Sequence, residues 1–121
     1  AAVVLLLGLS IQVFAQYNRD AVVKVMRSNA ALTGAINGAV ADKDFYTAAV
    51  KLMELAQGEK SLVGMSPPKG SQTEWDRIHS ELVLAALRAI GACGEQNADK
   101  LKAELAAIGA LNREGHAKFR G

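Results

Sequence analysis

Side chains capable of chemistry are scarce in this sequence. Its 121 residues include two His, one Cys and three Met. One imidazole, His116, closes the run Asn112-Arg113-Glu114-Gly115-His116. Asn112 and Gly115 fall on an apolar stripe where large hydrophobes belong. An interior helical Gly costs about 1 kcal/mol relative to Ala and leaves a gap in the packing. A core-facing Asn must find a hydrogen-bond partner. A hole, an amide and an imidazole thus share two helical turns. Met26 lies on another apolar stripe near the start of the chain. A thioether and an imidazole facing one another across a slot form a familiar axial pair for haem iron.

The remaining candidates point to no enzyme. The lone Cys93 excludes an intramolecular disulfide scaffold and any Cys-rich zinc module. It has no evident base to activate it. His79, one turn after Trp75, reads as a structural or exposed side chain. Two His cannot build a His-rich catalytic centre, and no His-Glu-x-x-His pair occurs. There is no triad order and no phosphate-binding glycine loop. Fourteen basic and twelve acidic residues leave a net charge of +2, which argues against nucleic acid as a partner.

These residues need elements to position them. Half the chain is hydrophobic but only 5% is aromatic, so the core must come from Ala, Leu, Val and Ile. With two adjacent Pro, that balance suits packed helices. Residues 1–18 carry no charge, and the opening apolar run ends in Val13-Phe14-Ala15. This reads as a truncated secretory signal over residues 1–15, too short to span a bilayer. It predicts an exported, periplasmic protein with no stable membrane span after removal, its domain covering residues 16–121. In such a compartment Cys93 would be a free or intermolecular thiol.

Four amphipathic helices follow. Residues 18–37 form the first, capped by Asn18, with Val22, Met26, Ala30 and Thr33 on its stripe and Gly38 as its stop. Residues 42–57 form the second, starting at Asp42. Residues 58–72 form a long Gly- and Pro-containing linker, over which Val63 and Met65 fold onto one end of the core. The third helix begins at the cap Thr73 and stops near Cys93, in a turn. The fourth begins after Asn97, its stripe running from Leu101 through Leu105, Ile108, Asn112 and Gly115 to Phe119. Such lengths and links predict an all-α fold, an antiparallel up-down-up-down four-helix bundle. The first and last helices are then neighbours. Met26 stands about 12 Å into one, and His116 about 7 Å from the end of the other, at 1.5 Å per residue. They reach similar heights.

At this point the sequence resembles the four-helix cytochromes, the c-prime family and its low-spin and b-type relatives. Val25-Met26-Arg27-Ser28-Asn29 with Leu32-Thr33-Gly34-Ala35-Ile36 is similar to the family's first helix. Pro68-Lys69-Gly70-Ser71 before Trp75 resembles the loop and opening of the third. The terminal segment from Ala110 to Arg120 resembles the haem helix. The departure is that Asn112 and Gly115 stand where c-type members carry the two cysteines of Cys-x-x-Cys-His, so covalent attachment by that motif is excluded. The resemblance implies haem held without a tether, with His116 and Met26 as iron ligands. It implies Arg27, Arg113 and Arg120 near the propionates, Trp75 as a pocket wall, and Asn112 and Gly115 lining the pocket. It further implies electron transfer, if Met26 ligates, or small-gas binding, together with a redox partner protein and pairing of two copies through the first two helices. The alternative is a haem-free bundle that binds a small ligand or another protein.

Overall fold

The computed structural model describes residues 15–120. The expected leader, residues 1–15, lies outside the described residues except for Ala15. Four helices follow in order: α1 (Arg19–Ala41), α2 (Phe45–Lys60), α3 (Gln72–Gly94) and α4 (Ala98–Phe119). Among the described residues there is no strand, only one isolated bridge between Ala15 and Met65. The protein is an all-α antiparallel four-helix bundle. No helix is long and apolar enough to cross a membrane among the described residues.

The α1–α2 and α3–α4 links are very short, and each uses one residue twice. The N–H of Asp44 donates to Ala39 O (2.8 Å) and that of Lys43 to Val40 O (3.1 Å), which closes α1 as a Schellman motif. The Asp44 side chain then accepts from the Thr47 N–H at 3.1 Å and opens α2. Asn97 repeats the device. Its N–H donates to Ala92 O at 3.0 Å, while its side chain accepts from the N–H of Lys100. The left-handed residue each motif requires is Lys43 (φ 54°) or Gln96 (φ 53°), neither of them Gly.

This geometry corrects four boundaries. Helix α2 runs through Gly58 to Lys60 rather than ending at residue 57. The cap of α2 is Asp44, because Asp42 already caps the end of α1. Helix α1 passes through Gly38, whose lack of a side chain does not stop it, and ends at Ala41. The cap of α3 is Ser71, which accepts from the N–H of Glu74 at 3.1 Å, leaving Thr73 inside the first turn. The expected caps Asn18 and Asn97 stand where the sequence put them.

The core is built on α2 and α3. Leu52, Ile78, Leu82 and Leu101 are almost fully buried, as are Ala48, Ala85, Ala86, Ala89 and Ala92. Those alanines let helix axes approach closely, which suits near-parallel packing. Cys93 is buried in the last turn of α3 rather than in a turn between helices. The linker folds as expected over one end. Leu62 and Met65 are buried, the Trp75 Nε1–H donates to Leu62 O at 2.8 Å, and Gln72 Nε2 donates to Met65 O. Gly70 takes φ +81° with Phe119 pressed against it, so a Cβ there would sit 3.2 Å from the ring.

Three helix pairs pack closely: α1 on α2, α2 on α3, and α3 on α4. The fourth seam, between α1 and α4, stays largely unpacked. The buried residues of α1 are Val22, Leu32, Ile36 and Ala39, while Met26, Ala30 and Thr33 are exposed along the seam. Replacing Gln96 by Gly should relieve about 1–2 kcal/mol of left-handed strain. About 0.5–1 kcal/mol of added unfolded-state freedom offsets this. A net gain of up to about 1.5 kcal/mol should appear as a higher urea midpoint with an unchanged slope.

Candidate functional site

The open seam is a cavity of about 610 Å³. That volume lies within the ~300–1,000 Å³ typical of small-molecule sites. Most of the residues singled out by sequence meet here. Met26 enters from α1, Trp75 from α3, and Asn112, Gly115 and His116 from α4, with Arg120 just beyond α4. Arg27 is exposed and does not line the cavity; Arg19 does. Met26 is 43% exposed and His116 is also exposed, so both stand toward solvent rather than in the core. The gap at Gly115 is partly taken up by Ile78, whose Cγ2 lies 3.4 Å from where a Cβ would stand.

Deeper in the cavity stands a polar group that the sequence reading missed. Glu59 on α2 is 4% exposed and His79 on α3 is 7% exposed. The His79 Nδ1–H donates to Glu59 Oε2 at 2.5 Å, and Asn29 Nδ2 on α1 donates to Glu59 Oε1 at 2.8 Å. One carboxylate therefore ties three helices. His79 was expected to be a structural or exposed residue; it is buried and lines the cavity. Its ring makes an edge contact with Trp75 (centroids 4.2 Å), and Trp75 makes another with Phe119 at 5.0 Å. Two buried atoms of this group, His79 Nε2 and Asn29 Oδ1, have no protein partner. Gly58 makes room for the arrangement. A Cβ there would sit 3.4 Å from Val25 Cγ1 and 3.6 Å from Asn29 Oδ1. A sequence signal for Glu59 existed: it falls four residues after Leu55 and three after Ala56, on the buried face of α2.

At the same end of the bundle a charged network joins α3 to α4. Glu74 accepts from Arg77 (2.8 Å) and Lys118 (2.6 Å). Glu114 accepts from Lys118 at 3.0 Å and also from Arg77. The hydrogen bonds from Arg77, then Lys118, pull the Glu74 carboxyl down to about 2. Those from Lys118, then Arg77, hold Glu114 below its ordinary value. Burial pushes the Cys93 thiol up, which makes it a poor nucleophile. No group of three or more His, Cys, Asp or Glu among the described residues could hold a bare metal ion. What the site offers instead is an apolar cavity with two imidazoles and a thioether on its lining.

No family model, no curated protein and no solved structure matches the chain.

Two outcomes are expected. Glu59→Ala removes the partner of the half-buried Asn29 amide and of the buried His79 ring, at about 1–3 kcal/mol for a buried group left unpaired; urea unfolding should show the loss. The depressed carboxylates Glu74 and Glu114 stabilise the fold above their unfolded values near pH 4–5. That contribution should be lost as pH falls below those unfolded values, down to about 2 for Glu74. A thermal-melt series across this range should show a shallower acid decline for the Glu74→Gln, Glu114→Gln double variant. Solvent screening keeps the effect modest and sensitive to salt.

Proposed function

We propose that the protein binds haem non-covalently in the seam between α1 and α4, as a c-prime-like bundle without the covalent tether. The observation that carries this reading is the cavity itself. It occupies the one unpacked seam, and both Met26 and His116 line it. The residues suit the group: the lining is largely apolar, with Trp75, Ile78, Leu82 and Leu111 among it. Met26 and His116 supply a soft thioether and an imidazole, a known axial combination. Arg19 and Arg120 offer guanidinium groups to carboxylates at the mouth. Bound haem would supply one-electron transfer or small-gas binding. The chain's own part is to hold the group, exclude water from one face and set its donors.

The wider reading is of an exported, periplasmic protein serving a redox partner. Pairing of two copies is supported by α2, where Tyr46 (81% exposed), Val50 and Met53 form an outward apolar strip at helical spacing. The second reading, a haem-free module for a small apolar ligand, is favoured by Ile78 already occupying part of the gap at Gly115.

Titrating the purified protein with hemin separates the two. Haem binding predicts a sharp Soret band that saturates at one equivalent and is altered by His116→Ala. A spectrum that remains that of free hemin would end the haem reading and leave the small-ligand one.

A further inference from the structure

We infer that His79 is an iron ligand of this cavity, in the place that the preceding section gives to Met26. The inference rests on the haem reading and refines it. His79 is held on one side only. Its Nδ1 lies 2.5 Å from Glu59 Oε2, and a neutral ring that carries its proton on that side, against the carboxylate, has its lone pair on Nε2. That Nε2 is buried and has no protein partner, an unusual state for a ring nitrogen and one that calls for an explanation. The same arrangement, an imidazole with one nitrogen on a carboxylate and the other free, is how proteins prepare histidines for metals. The carboxylate fixes the tautomer and raises the basicity of the donor.

The support continues outward. Asn29 Nδ2 holds the other oxygen of Glu59 at 2.8 Å, so the carboxylate cannot swing away. The edge contact with Trp75 fixes the plane of the imidazole. Met26 has none of this. It is 43% exposed, on a side chain with three freely rotating bonds. Of the two donors, the buried and oriented imidazole is the better prepared. His79 lines the same cavity as His116.

The test loads hemin into wild type, Met26→Leu, His79→Gly and Glu59→Gln, and reads electron paramagnetic resonance and near-infrared ligand bands. Circular dichroism confirms that each variant is folded. Met26→Leu should keep the low-spin, two-imidazole signature. His79→Gly should turn high-spin and recover the low-spin signal when free imidazole is added. Glu59→Gln should keep the fold and bind hemin about 10–100-fold more weakly. In the apoprotein, nitrogen NMR should find the His79 proton on Nδ1. A proton on Nε2 overturns the inference, as does a thioether band that disappears in Met26→Leu or a wild-type signature in His79→Gly. All three leave the haem reading intact. Wild type that takes up no hemin removes both.

Discussion

One buried carboxylate organises this molecule. Glu59 sits at 4% exposure near the end of α2, and taking a carboxylate out of water is costly unless its oxygens are bonded. Each oxygen is bonded, one by Asn29 of α1 and one by His79 of α3. The requirement to satisfy Glu59 therefore sets the register of three helices at one end of the bundle. It also places an imidazole where an apolar residue would otherwise stand. Gly58, which lets α1 come close, and Trp75, which braces the ring, follow from the same requirement.

The bundle is uneven in a way its composition explains. Small alanines on α2 and α3 allow close packing, and that side is dense. On α4, Asn112 and Gly115 replace bulk, and the residues that α1 brings to the cavity include the small Ala30 and Thr33 beside Met26. The seam stays open because neither helix carries the volume to close it. The charged network of Arg77 and Lys118 with Glu74 and Glu114 then binds α4 to α3 rather than to α1.

Much of this was legible in the residues. Period and caps marked four helices, and the conflict at Asn112 and Gly115 marked the wall of the cavity. Met26, Trp75, Asn112, Gly115, His116 and Arg120 line that cavity. Arg27 does not, because one step round α1 turns it to solvent while Arg19 comes in from the helix start. The stop of α1 was misplaced because a glycine can ride inside a helix. The true stop rests on left-handed Lys43, which no residue preference announces. The polar group stayed hidden for a different reason. Asn29, Glu59 and His79 are far apart in sequence, and each alone looks like an ordinary solvated side chain. Only three converging helices show that they satisfy one another.

The shared cap residues Asp44 and Asn97 bear on how the chain reaches this state. Each makes an αα-hairpin from neighbouring sequence, so both hairpins can form through local contacts, the condition for fast folding. Bringing α1 against α4 would close the longest loop in the chain, with the largest entropic cost. That is the closure the protein leaves unmade. Folding can finish without it, and the cavity lies along the seam left open. A molecule entering the seam would recognise only the completed bundle and would raise its melting temperature with the logarithm of its concentration, even beyond saturation.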